Sequence, residues 1–243
     1  MKLSILFPFL TILLSPNSTF ENQLKPDVFF YVEDFQSDSI GELPNNWYNQ
    51  RGEARPQTYT GELRETYNYS IMEENGNQFL RFTGIRGKHL SYPFFDELDV
   101  NIYETPILSW DWRIHDIPET ASEYDKNRND AAASIYVVFD LGHVLFRKVP
   151  KSIRYTWSST LAVGTELSKF HGNQKIVVIG SGEDGLSEWK TFERNIVEDY
   201  QRLFEDDPPS KPIAILVLSD GNDTNDFTMA DYDNILLKSH RSN

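Results

Sequence analysis

Ile107-Leu108-Ser109-Trp110-Asp111-Trp112-Arg113-Ile114-His115 is the stretch that decides the fold. Taken two residues at a time, it sends Leu108, Trp110, Trp112 and Ile114 to one side and Ser109, Asp111, Arg113 and His115 to the other. That is the period of a β-strand with one buried face. The first set is core. The second is a polar stripe on the opposite face of the sheet, which either pairs with charges on neighbouring strands or lines a concave binding face.

The same pattern recurs on both sides of this run. Phe29-Phe30-Tyr31-Val32 reads as the first strand, closed by Glu33-Asp34-Phe35. Residues 69–72 and 79–83 read as a hairpin across a loop that holds Asn75-Gly76, a pair suited to a tight turn. Residues 131–140 enter another buried strand. In residues 152–158, Ile153, Tyr155 and Trp157 share one face and Arg154, Thr156 and Ser158 the other. Lys175 to Gly180 is a further apolar strand, and the charged stretch from Glu119 to Asn129 reads as a surface loop. After Trp189 the period changes: Ile196, Val197, Tyr200, Leu203 and Phe204 fit the stripe of an amphipathic helix, ended by Asp206-Asp207-Pro208-Pro209. Its Glu198-Asp199 pair reads as a solvated face. Short strands with turn signals between them predict an all-β fold, an antiparallel sandwich with one capping helix. No repeat or low-complexity linker divides residues 28–238, so one domain is expected.

Composition narrows the function. A net charge of −14 over 243 residues argues against nucleic acid or anionic lipid as partner, because phosphate recognition needs clustered Lys and Arg. The absence of cysteine removes disulfides, thiol nucleophiles and thiolate metal sites together. Met1-Lys2 followed by an apolar run from Leu3 to Leu14 reads as a secretory signal over residues 1–19. The run is too short to span a bilayer, which takes about 20 apolar residues. Nothing after it crosses a membrane, so an exported chain without a transmembrane segment, periplasmic or extracellular, is expected.

The segments Trp110-Asp111-Trp112-Arg113, Asn129 to Phe139, Tyr155-Thr156-Trp157, Glu193 to Tyr200 with Asp207-Pro208-Pro209, and Asp220 to Thr224 with Tyr232 to Ile235 occur in the order and spacing of a bacterial exported family known as domain of unknown function 3047. The chain resembles that family from about Ile107 to Leu237. It has Asn129-Asp130 where the family has an Asp-Asp pair, Ser134 where the family has arginine, and Asp220-Gly221-Asn222-Asp223-Thr224 where the family has Asp-x-Asp-Asn-Thr. The resemblance implies export and a jelly-roll-like sandwich similar to carbohydrate-binding modules. It implies no reaction.

Two constellations stand out. Asp220, Asn222, Thr224 and Asp226 alternate, with Asp231 eleven residues past Asp220, and this echoes the oxygen spacing of a calcium loop. It is no EF-hand, because the sixth-position glycine and the terminal glutamate are missing. Calcium is the candidate cofactor, with Glu33 and Asp34 as extra ligands; the alternative is an acidic turn satisfying its own backbone. The candidate ligand-binding set is Asp111, Arg113, His115, Asp140, Arg154 and Trp157, expected to share one cavity. Trp47, Tyr92, Trp157 and Trp189 are the aromatics available to stack on sugar rings or to pack the core. The reading favoured is non-catalytic binding of a polysaccharide or glycoconjugate. The alternatives are a glycan-cleaving hydrolase or lyase on the same scaffold, and a structural or partner-binding envelope protein.

Overall fold

Strand pairing divides the chain between two stacked sheets. The computed structural model describes residues 28–49, 57–58, 68–140, 143–144, 147–148 and 150–240, without the side chains of residues 49, 57–58, 140, 143–144 and 147–148; the signal expected at residues 1–19 lies outside this range. In chain order the elements are β1 (Phe29–Glu33), β2 (Tyr48–Asn49), β3 (Gln57–Thr58), β4 (Tyr69–Glu74), β5 (Asn77–Gly84), β6 (Leu90–Pro93), β7 (Ile107–Asp116), β8 (Ala131–Asp140), β9 (His143–Val144), β10 (Arg147–Lys148), β11 (Lys151–Ser158), β12 (Glu166–Lys169), β13 (Gln174–Ser181), β14 (Lys190–Asn195), helix α1 (Ile196–Phe204), β15 (Ala214–Asp220) and β16 (Thr228–Lys238). The smaller sheet runs β14-β7-β16-β5-β4, with β1 also on β16. The larger runs β12-β13-β11-β8-β15-β6-β2-β3, and β9 and β10 form a separate hairpin. Pairing is antiparallel except between β11 and β13. The architecture is the expected all-β, jelly-roll-like sandwich, with one α-helix among the described residues.

The alternation read in the sequence fixes what lies between the sheets. Leu108, Trp110, Trp112 and Ile114 of β7 join Ile153, Tyr155 and Trp157 of β11, and Ile135, Val137 and Phe139 of β8, in one contiguous core. Trp110 stacks on Tyr155 at 5.7 Å between ring centroids, so the two sheets meet through these aromatic faces. Gly180 makes room for Trp157, since a Cβ at that position would lie 2.3 Å from the indole. The hairpin forms as expected: β4 and β5 join at Asn75-Gly76, both at positive φ.

Helix α1 begins where Asn195 accepts hydrogen bonds from the amides of Val197 and Glu198, each 3.2 Å. It stops at left-handed Glu205, ahead of the Pro-Pro pair. Ile196, Val197 and Tyr200 are buried as the stripe requires. Asp199 is also buried, which corrects the solvated-face reading. It accepts from Tyr155 Oη at 2.8 Å, from Arg194 at 2.8 and 2.5 Å, and from Arg202 at 2.8 Å. Burial works against its charge, but the Arg194 and Arg202 bonds outweigh it and hold the carboxyl below its ordinary value.

Candidate functional site

The outer face of the larger sheet is buried, polar along β11 and apolar across Tyr136, Val138, Ala214, Leu216 and Leu218. On β11, Ile153, Tyr155 and Trp157 enter the core, and Ser152, Arg154, Thr156 and Ser158 face outward without reaching solvent. Ser134, Tyr136 and Val138 of β8 and Leu216 and Leu218 of β15 continue this face. Arg154, only 2% exposed, is at its centre. Its Nε donates to Ser134 Oγ at 2.9 Å, and its guanidinium lies 5.6 Å from the Tyr136 ring centroid. Among the described residues, Arg154 Nη2 finds no hydrogen-bond partner, and neither does Asp220 Oδ1 at the end of β15.

The loop between β7 and β8, expected as a surface loop, folds down onto this face. Glu123 is fully buried and accepts from Thr156 Oγ1 at 3.3 Å and Ser158 Oγ at 2.6 Å. Thr156 Oγ1 also lies 3.0 Å from Ser134 Oγ, so the hydroxyls form a chain beside Arg154. Lys169 of β12 donates to Asn129 Oδ1. Asp130 accepts from the amides of Asp223 (3.1 Å) and Thr224 (2.7 Å) and from the Thr224 hydroxyl (2.8 Å), which clips this loop to the one after β15.

The electrostatics follow from burial. Asp220 is pushed up to about 7, chiefly by burial; Arg154 opposes the shift, and Asp130 and Asp223 add to it. Burial, reinforced by the Arg154 charge, lowers Lys169 to about 8 and His89 to about 4. His89 stands edge-on to Tyr136 at 5.0 Å. An unsatisfied donor and an unsatisfied acceptor in one low-dielectric setting suit a ligand that offers both lone pairs and hydroxyl protons.

The expected ligand set is split. Asp111, Arg113 and His115 lie on the outer face of the smaller sheet, and Arg154 lies on the outer face of the larger one, with the Trp110–Tyr155 contact between them. They share no cavity. Alternation assigns a residue to a face of its strand; it does not say which sheet the strand joins. Around Arg113 the groups satisfy one another. Asp231 accepts from Arg81 at 2.6 and 2.8 Å and from Arg113 at 2.8 Å, and it lies 2.9 Å from His115 Nε2. Glu74 takes the other end of Arg113 at 2.6 Å, and Phe79 and Trp189 flank its guanidinium at 5.0 and 4.7 Å. Asp111 accepts from Thr191 at 2.6 Å and Asn234 at 2.8 Å. Trp157 is core, its Nε1 donating to the Gly182 carbonyl at 3.0 Å. Asp140 ends β8, and its side chain lies outside the described residues.

The oxygens expected around calcium do not converge. Asn222 donates to Asp223, Thr224 is bound to Asp130, and the amide of Asp226 closes the loop on the Gly221 carbonyl. Asp220 is coupled to Arg154, and Asp231 belongs to the opposite face, because β16 carries it into the middle of the smaller sheet. Glu33 is occupied by Trp47 Nε1 and by the amides of Asp34 and Phe35. Among the described residues no group of three or more His, Asp or Glu is arranged to hold a metal ion. Of the aromatics available to stack on sugars or to pack the core, Trp47 and Trp157 are buried in the core, and Trp189 lies against Arg113. The residues missed were Glu123, Ser134, Tyr136, Lys169 and His89. Only Ser134 and Tyr136 carried a signal, the alternation along β8.

Among curated proteins nothing matches the sequence. Solved structures similar in overall shape include the family 30 carbohydrate-binding module of a cellulosomal cellulase of Clostridium thermocellum, at 9% identity and TM-score 0.44, covering 88% of this chain and 99% of that one. The family 11 module of another cellulase from the same organism is 13% identical with a TM-score of 0.40, over 89% and 97% of the two chains. Endoglucanase 3 of Trichoderma harzianum, at 9% and 0.38, covers 88% and 98%. Among the described residues no helix is long and apolar enough to cross a membrane. The segments shared across both sheets, from Trp47 through Ile235, fall within a sequence match over residues 45–236, and the chain belongs to the family described as protein of unknown function DUF3047.

Proposed function

We propose that this chain binds a neutral polysaccharide on the outer face of its larger sheet, around Arg154 and Asp220. The observation that carries the reading is the pair of unmet hydrogen-bonding atoms there, Arg154 Nη2 and Asp220 Oδ1. Leaving a buried polar atom unpaired costs about 1–3 kcal/mol, and of the seven such atoms among the described residues these two belong to oppositely charged groups that act on each other, which supports a ligand that completes both. Neighbouring sugar hydroxyls supply an oxygen for the guanidinium and a proton for the carboxylate. The carboxylates of Glu123, Asp130 and Asp223 around Arg154, Asp220 and Lys169 disfavour an acidic sugar. Export, read from the N-terminal run, would place the protein where such polymers occur.

Retention on mixed-linkage β-glucan, xylan, glucomannan and polygalacturonate in affinity gels tests the reading. Wild type should be slowed by at least one neutral polymer and not by polygalacturonate. Arg154→Met and the nearly isosteric Asp220→Asn should each lose the retardation while keeping a folded circular dichroism spectrum. Unretarded wild type across the neutral polymers would overturn the proposal. A second reading, glycan cleavage at the same place, is favoured by one observation: Asp220 holds its proton near neutral pH, as a general acid must. Against it, both oxygens of Glu123, the other acid beside Arg154, are occupied by Thr156 and Ser158. New reducing ends released from a retained polymer would favour cleavage.

A further inference from the structure

We propose that Tyr124 and Phe170 form an aromatic rim beside the Arg154 site and stack on the sugar rings flanking the one held there. The inference rests on the carbohydrate reading and deepens it, because it makes the ligand a chain of several sugars. Glu123 is fully buried and bonded to Thr156 and Ser158, and the next side chain, Tyr124, is 80% exposed. Of two consecutive residues, one is thus bonded within the site and the next is open to solvent. The pattern repeats on a second segment. Lys169 is part-buried and feels the Arg154 charge, and the next residue, Phe170, is 56% exposed. The two segments are tied together, since Lys169 Nζ donates to Asn129 of the loop that carries Tyr124.

Phe170 is held out by unusual backbone. Its φ is 52° and that of His171 is 55°, a left-handed conformation that bulky side chains rarely adopt and that costs conformational energy. A lone exposed aromatic needs no explanation. Two of them, each one residue beyond a group of the same site and on segments joined by the Lys169–Asn129 hydrogen bond, are the rings the proposed rim is made of. The C–H faces of a pyranose are apolar and lie well against an aromatic ring, and the hydroxyl edges remain free to reach polar groups. The indoles of Trp47 and Trp157 are in the core and cannot take this part.

The test uses the full chain and the hexasaccharide and disaccharide of whichever neutral polymer retards it, measured by titration calorimetry. The Tyr124→Ala, Phe170→Ala double variant should bind the hexasaccharide about tenfold more weakly or worse. Its disaccharide affinity and melting temperature should stay unchanged, because both rings are exposed. Undiminished hexasaccharide binding in the double variant, with Arg154→Met still abolishing it, would overturn the rim and leave the carbohydrate reading standing. An equal loss for the disaccharide would also overturn it, since the rings would then act at the Arg154 sugar itself. Wild type that binds neither oligosaccharide overturns both.

Discussion

At position 220 a carboxyl group is placed where its charge is disfavoured. Burial moves it from an ordinary 3.8 to about 7, and the nearby guanidinium of Arg154 only partly offsets that. The sign of the consequence follows from linkage: below about pH 3 the group is protonated whether the chain is folded or not, so it carries no penalty. As the pH rises to 7 the unfolded chain releases the proton and the folded chain retains it, and stability is lost over that window. Asp220→Asn should therefore match wild type in stability near pH 3 and exceed it by about 3 kcal/mol at pH 8. Urea unfolding of both proteins from about pH 3 to pH 8 checks this, and parallel curves would mean that Asp220 is solvated. At this scale the sequence was partly legible. Arg154, Thr156 and Ser158 share a face because residues two apart must. Glu123 and Lys169 could not be placed, since a loop fold and a hydrogen bond to Asn129 bring them in.

Helix α1 was legible as an element because its apolar spacing leaves no strand alternative. Tyr200, on the buried side, packs against Phe139 at 4.7 Å and Phe204 at 4.6 Å. Tyr200→Ala should open a cavity and cost about 3–5 kcal/mol in chemical denaturation, with the helix still present by circular dichroism. A loss under about 1 kcal/mol would mean that the stripe is not seated. The same helix shows where the period misleads. Asp199 falls among charged neighbours in the sequence, yet three donors from β11, β14 and its own last turn draw it inward. Such a network is built from residues far apart in the chain, and helical spacing carries no trace of it.

Across the whole molecule, strand identity was legible and sheet membership was not. Asp111 and Arg154 both read as outward-facing, and they face away from each other because β7 and β11 belong to different sheets. Asp231 is separated from the Asp220 loop in the same way. Calcium held by the Asp220 loop would have to be bound without Asp231, and melting curves in millimolar calcium and in excess chelator check it: superimposed curves mean no stabilising ion, whereas a bound ion raises the midpoint by mass action. A midpoint several degrees higher in calcium would show that the loop gathers ligands beyond those seen here. The position of β16 has a consequence of another kind. It is the last of the described strands and lies inside the smaller sheet, paired with β7, β5 and β1. During synthesis those three strands exist long before the neighbour they share, so the smaller sheet cannot zip up from its first residues onward. Its assembly waits for Thr228 and beyond, which makes closure of this sheet a long-range event that follows the synthesis of all its other strands.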